Sequence, residues 1–192
     1  HVERMNEESA NALLKVMEEP PEGVLFLLTA DSLAGVLPTI RSRCVSFAVA
    51  PVSPEDCARY CTAQGVGAKD AALYSALFDG HIGTVLAAAR DEARREQVDR
   101  ALALAKAAAA RDSYAAAVLL AAYEKDKAGA SALLADFRAV AAAGLRDSPH
   151  SPVEGETARK ALGAADAAMQ QISAQVNPKI VLSVLAAKFR TF

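Results

Sequence analysis

The sequence lacks the short motifs that usually mark an enzyme active site. Its 192 residues contain no GxxxxGK[ST] phosphate loop and no GxGxxG, GxSxG or HExxH pattern, and its histidines, His1, His81 and His150, are scattered. Such motifs place phosphate-binding backbone, nucleophiles or metal ligands at fixed spacing. Their absence predicts that neither a complete catalytic site nor a cofactor or metal site is confined to this stretch.

Membrane and charge signals are equally sparse. No apolar run reaches the length of a membrane span, and the first residues lack the charged and apolar blocks of a signal peptide, which predicts a cytoplasmic protein with no membrane partner. A net charge of -2, from 21 basic and 23 acidic residues, gives no overall field that would attract nucleic acid. A role on DNA would have to be shared with other chains.

The three cysteines do not form a metal-binding pattern. Cys57 and Cys61 stand one helical turn apart, but neither a second cysteine pair nor a nearby histidine completes the four ligands that structural zinc needs. We therefore expect these two residues and Cys44 to be reduced, half-buried thiols.

Alanine dominates the apolar residues, which make up 53% of the chain, and this predicts a mainly α-helical fold. Residues 1–52 are the exception. Asn6 is expected to cap a helix that the paired prolines end, Val24–Thr29 and Val45–Val49 are predicted strands, and Asp31–Cys44 is predicted to be a loop or short helix. Because two strands need more sheet around them, this part resembles the end of a larger α/β domain.

The remainder is predicted to be helical, with a domain boundary near residue 53 after Pro51. Ser53 is the expected cap of the first of three short helices, and Asn177 the expected cap of a last helix whose apolar side would carry Ile180, Leu182, Val184 and Leu185. A mobile loop is expected at "RDSPHSPVEGE". The predicted helices are about 54–63, 69–78, one following Gly80, 93–110, 113–125, 129–145, 156–176 and 178–189.

Two arginines one residue apart, Arg41 and Arg43 in "LPTIRSRC", lie between the two predicted strands. The planar guanidinium is suited to binding a carboxylate or a phosphate, so the segment predicts an anionic partner. A lone surface salt bridge is the plain alternative.

The order of "NALLKVMEEPP", the apolar strand ending in Thr29, and "LPTIRSRC" resembles clamp-loader subunits of the AAA+ superfamily, and the closing "NPKIVLSVLAAKFR" is similar to their last helix. The resemblance implies three domains. These are the C-terminal part of an AAA+ core domain at 1–52, a three-helix lid at 53–92 and a five-helix collar, which assembles the subunits, at 93–192.

The resemblance also implies functional residues. Arg43 of Ser42-Arg43-Cys44 would be an arginine finger that reaches ATP bound to a neighbouring subunit, while Cys44 would be a packing residue. Thr29 would lie in the sensor-1 region that contacts nucleotide, unless it is an ordinary threonine at a strand end. The implied partners are the other loader subunits, of the gamma/tau and delta types, and, through the assembled complex, the sliding clamp and primed DNA.

Two family roles remain open, together with a helical scaffold unrelated to replication. A motor subunit that hydrolyses ATP would carry a sensor-2 arginine at the end of "GHIG", Gly80–Gly83, where this sequence has glycine. Its Walker B glutamate would align with His1. Both departures favour a non-catalytic subunit that presents Arg43 to its neighbour, with a fragment of the gamma/tau motor as the alternative.

Overall fold

The computed structural model describes residues 1–30, 32–50 and 52–192, so Asp31 of the predicted loop and Pro51 of the predicted boundary lie outside the described residues. Within those ranges the chain is mainly α-helical, as predicted, and forms two compact units, 1–50 and 51–192. The α-helices are α1 Glu7–Glu18, α2 Pro38–Arg41, α3 Pro54–Ala63, α4 Ala68–Leu77, α5 Ile82–Arg90, α6 Glu92–Ala109, α7 Ser113–Ala121, α8 Lys127–Leu145, α9 Gly155–Ser173 and α10 Pro178–Lys188. Short 3-10 helices cover Val2–Arg4, Leu33–Gly35 and Phe189–Thr191.

The first unit is organised around α1. The side chain of Asn6 accepts a hydrogen bond from the backbone of Ser9 at 2.8 Å, which confirms it as the N-cap. Buried Ala10 on α1 packs with Val36 and with Ile40 of α2. This small apolar cluster fixes α2 on one face of α1.

The two predicted strands are wrong for this structure. Val24–Thr29 and Val45–Val49 are without regular secondary structure, and neither forms a ladder of hydrogen bonds with another described segment, since the single bond from Val2 N–H to the Thr29 carbonyl is not continued. The physical reason is that a strand exists only through ladder hydrogen bonds to a neighbouring strand, and none lies beside these segments. In the first segment every side chain except that of Phe26 is exposed, and in the second Val45, Phe47 and Val49 are exposed, Phe47 at 85%.

The second unit begins with three short helices close to their predicted positions. Ser53 caps α3 by accepting from the backbone N–H of Asp56 at 3.1 Å, as predicted. The turn between α4 and α5 needs Gly80, whose φ is +74° and whose missing Cβ would lie 1.8 Å from the carbonyl oxygen of Val52.

The five longer helices α6–α10 complete the second unit, and α8 with α9 forms its most extensive helix pair. Small side chains on the buried face of α9 let the two helix backbones approach closely. Those residues are Ala158, Ala161, Ala164, Ala165 and Ala168, followed by Ile172. The alanine-rich sequence therefore forms closely packed helices.

The buried side of α10 differs from the prediction. Leu182 and Leu185 are buried as expected, but Ile180 and Val184 are exposed, while the unpredicted Val181 is buried. Asn177 caps the helix by accepting from the backbone N–H of Lys179 at 2.9 Å, as predicted. Val181, Leu182, Leu185 and Ala186 recur at helical spacing and share one face, whereas Ile180 and Val184, one turn apart, lie on the other, and α10 packs against α7 and α9.

A buried ion pair joins α6 to α8. Arg94 donates two hydrogen bonds to the carboxylate of Asp136, of which the Nη2–Oδ1 contact is 2.6 Å, and Gln97 donates to Oδ2 at 2.9 Å. The guanidinium also lies 5.4 Å from the centre of the Phe78 ring, which comes from the turn between α4 and α5. Hydrogen bonding to Asp136 raises the pKa of Arg94.

The segment between α8 and α9, which was predicted to be a mobile loop, is held against α8. Buried Ser151 donates its hydroxyl toward the carbonyl oxygen of Val140 at 2.9 Å. Gly144 permits the close approach, because a Cβ at this position would lie 2.0 Å from the carbonyl oxygen of Val153. Contacts of this kind, between a side chain or a glycine and distant backbone, cannot be predicted from amino-acid composition.

By length and composition, α8 is the one described helix that could cross a membrane, and half of its apolar stretch is buried inside the unit. A core helix passes the same test, so the finding is weak evidence for a span. The division of the helical part into separate domains at 53–92 and 93–192 stays a prediction.

Candidate functional site

The candidate site is built on α2 and the turn that follows it. Pro38 occupies the first helical position, and buried Ile40 anchors the helix on the apolar cluster of α1. After α2 the chain continues as a tight turn in which the backbone N–H of Arg43 donates to the carbonyl of Ile40 at 3.1 Å. Cys44 packs against the same cluster, as predicted for a packing residue. The backbone that carries Arg43 is therefore fixed on both sides.

The guanidinium of Arg43 has two anchors. Nη1 donates to the carbonyl oxygen of Thr39 at 3.1 Å, and Nη2 donates to Oε1 of Glu18 at 2.6 Å. The Arg43 side chain is 39% exposed. Because a guanidinium has five N–H donors and these contacts use two of them, three donors have no acceptor among the described residues.

Arg41 differs from Arg43 although it lies only two positions earlier. It is exposed at the last residue of α2, and its side chain has no hydrogen bond or ion pair to the part of the chain that the structure describes. The side chain of Arg43, in the turn after α2, is therefore anchored, whereas that of Arg41 is not anchored by any described residue.

Thr29 is exposed at the end of the extended segment. Its carbonyl oxygen accepts from the backbone N–H of Val2 at 2.9 Å, and its hydroxyl oxygen lies 3.4 Å from the amino group of His1. Within the described ranges, no hydrogen bond links Thr29 to Arg43. The structure therefore brings Thr29 beside His1 and does not join it to the arginine.

Gly83 stands where the resemblance implies a sensor-2 arginine in motor subunits. Gly83 is exposed in the first turn of α5, and a Cβ built there would meet no atom within 4 Å. A longer side chain has room at this position. Packing of the described residues therefore does not require glycine at position 83.

The paired cysteines belong to the core of the second unit. Cys57 and Cys61 are fully buried rather than half-buried, and all three cysteines are free thiols. Burial, and then the neighbouring Cys57, raise the pKa of the Cys61 thiol, which makes its thiolate less available. The described residues contain no group of three or more His, Cys, Asp or Glu side chains that could hold a metal ion.

Sequence reasoning missed Glu18. The "MEEPP" segment contributed to the resemblance, but no role was assigned to its first glutamate. Glu18 is the last residue of α1, where the negative end of the helix dipole disfavours a carboxylate. An acidic residue at that position was the available signal that a cation lies nearby.

Comparisons with known proteins place the resemblance in the first part of the chain. A family model described as "DNA polymerase III, delta subunit" matches residues 1–53. DNA polymerase III subunit delta' of Haemophilus influenzae is 60% identical over 42 residues, which cover 22% of this chain and 13% of the relative. The Yersinia pestis subunit delta' is 52% identical over 44 residues, covering 23% of this chain and 13% of the relative.

Gamma/tau subunits also match. DNA polymerase III subunit gamma/tau of Mycobacterium tuberculosis is 42% identical over 65 residues, covering 32% of this chain and 11% of the relative. The chain therefore spans only a small part, 11 to 13%, of the length of these relatives.

The "MEEPP" turn and the segment around Arg43 lie inside the part of the chain that the family model matches. Together with the helical architecture, these matches support a clamp-loader subunit as the class of protein. Within that class, the family model and the higher identities support the delta-prime type of DNA polymerase III subunit.

Proposed function

We propose that this protein acts as a non-catalytic, delta-prime-type subunit of the bacterial DNA polymerase III clamp loader. In this role it supports the ATP-dependent loading of the sliding clamp onto primed DNA in the cytoplasm, as one chain of a heteropentamer. Its chemical contribution is Arg43, which it presents to ATP bound at the adjoining subunit. Residues 93–192 would form the helical collar that holds the subunits together.

The anchored guanidinium of Arg43 is the observation that carries this proposal. An arginine finger must lie at a fixed position and still have donors free for the phosphoryl group. Arg43 meets both conditions, since Thr39 and Glu18 hold one end of the side chain while three donors remain. Its exposure leaves it accessible to a second chain.

The test uses the loader reconstituted with the full-length subunit and assayed for DNA- and clamp-stimulated ATP hydrolysis. Arg43→Ala is expected to lower the rate by a factor on the order of 10 or more, because charge that develops on the phosphoryl group loses its cation. Arg43→Lys should give an intermediate rate, since lysine keeps the charge but loses the planar fork.

Arg41→Ala is the matched control. It removes an exposed arginine two positions earlier whose side chain is not anchored by any described residue, so the rate should stay within about 2-fold of wild type. Gel filtration checks that every variant assembles. Full activity of an assembled Arg43→Ala loader would refute the finger.

The gamma/tau motor is retained as a second candidate because gamma/tau relatives match as long a stretch as any comparison reported above. Glycine at position 83 argues against it. Photocrosslinking of labelled ATP in the reconstituted loader distinguishes the non-catalytic subunit from the gamma/tau motor. Labelling of this subunit, followed by hydrolysis that survives inactivation of its neighbours' phosphate loops, would favour the motor.

A further inference from the structure

We propose that Glu18 is a positioning residue for Arg43, and that its carboxylate fixes the direction in which the guanidinium faces the neighbouring nucleotide. The inference rests on the proposed function, because it concerns the same finger. It adds a residue from a different helix to the site.

The geometry points to orientation as the role of this contact. Thr39 accepts from Nη1 and lies only four positions before the arginine, in the short helix α2 that leads into its turn, so that contact alone fixes one point of the side chain. Glu18 accepts from Nη2 at 2.6 Å and comes from α1, which lies 25 positions earlier in the sequence. Two acceptors on different elements define the plane of the guanidinium as well as its position.

Local helix energetics do not account for a carboxylate at Glu18. The residue ends α1, and Glu19 follows it, so two acidic side chains stand at the negative end of the helix dipole. Lysine or arginine would suit this turn better. The ion pair with Arg43 offsets the unfavourable interaction between the Glu18 carboxylate and the negative end of the helix dipole.

Stability also fails to account for the contact. The Glu18 side chain is 51% exposed and the Arg43 side chain 39%, and exposed ion pairs of this kind contribute little to folding. Without Glu18 the fold should survive, while the guanidinium would be free to turn about its single remaining anchor. A small misplacement of a reacting group can cost up to about 100-fold in rate.

The experiment measures stimulated ATP hydrolysis by the loader reconstituted with full-length Glu18→Ala, Glu18→Gln, Arg43→Ala and the Glu18→Ala/Arg43→Ala double variant. Glu18→Ala is expected to lower kcat by about 10-fold, with KM for ATP within about 2-fold of wild type, because the finger acts mainly in the transition state. Glu18→Gln keeps an acceptor oxygen and should recover part of the rate.

The double variant gives the sharpest readout. If Glu18 acts only through Arg43, the double variant should match Arg43→Ala within about 2-fold, since a positioning residue has nothing left to position. Glu19→Ala is the matched control, because Glu19 is exposed and has no hydrogen bond or ion pair to a described residue. Its rate should equal wild type.

Four results would overturn the inference while Arg43→Ala remains impaired. These are wild-type or increased activity of Glu18→Ala, a Glu18→Ala defect confined to KM, a double variant that multiplies the two defects, and a Glu19→Ala defect equal to that of Glu18→Ala. A fully active Arg43→Ala loader would instead remove the proposed function itself.

Discussion

Removal of the Asp136 carboxylate should destabilise the second unit substantially. The Asp136 side chain is 6% exposed and accepts from both Arg94 and Gln97, so Asp136→Ala leaves the Arg94 guanidinium and the Gln97 amide without their acceptor. Breaking a buried ion pair typically costs about 3 to 5 kcal/mol. Because the Arg94 side chain is 22% exposed and can turn toward water, we expect a lower loss of about 2 to 3 kcal/mol.

The assay is urea unfolding followed by far-ultraviolet circular dichroism, with thermal unfolding as a second measurement. For a chain of this size the loss corresponds to about 4 to 12 °C in Tm. Asp136→Asn keeps one carbonyl acceptor and should lose about half as much free energy of unfolding as Asp136→Ala.

The matched control is Asp166→Ala on α9. Asp166 also accepts from an arginine of α8, Arg138, at 2.6 Å, but both side chains are about half exposed. Such a pair contributes about 0 to 1 kcal/mol. If Asp136→Ala and Asp166→Ala cost the same free energy of unfolding, the argument from burial is refuted.

Further predictions concern the packing of the second unit. Gly144→Ala should lower the free energy of unfolding by about 1 to 3 kcal/mol, because the added Cβ meets the carbonyl oxygen of Val153. Gly163→Ala, at an exposed position inside α9 with no atom within 4 Å of the new Cβ, should raise it by about 0.5 to 1 kcal/mol; equal effects in urea unfolding would contradict both. The raised pKa of Cys61 means that the folded state retains the thiol proton more tightly than the unfolded state, so its contribution is complete below the ordinary thiol pKa and declines as pH rises above it. Cys61→Ala should weaken that alkaline decline in unfolding experiments, and an unchanged slope against pH would oppose the reasoning.

The sequence predicts those structural features that depend on residues close together in the chain. The caps at Asn6, Ser53 and Asn177 were all confirmed, because capping joins a side chain to backbone only two or three residues away. The approximate positions of the helices were also predictable, because they depend on residues close together in the sequence. The strands at Val24–Thr29 and Val45–Val49 failed because an apolar run cannot indicate whether a hydrogen-bonding neighbour lies beside it.

The site shows the same division. The motif around Arg43 could be recognised because its residues are adjacent, but the roles of both Arg43 and Thr29 remain predictions. The contact between Arg43 and Glu18 was not readable, since it joins residues 25 positions apart, and the contact between Arg94 and Asp136 spans 42. No local pattern specifies such pairings, which arise only when helices pack.

The alanine face of α9 has a consequence for mutational mapping of the protein. Alanine scanning finds important positions by removing side-chain atoms, yet five of the six buried residues of this helix are already alanine. An alanine scan would therefore detect almost none of the buried positions of α9, although α9 forms the most extensive contact with α8. Enlarging substitutions such as Ala161→Leu would reveal it, because the added methylene groups have no space between closely packed helices.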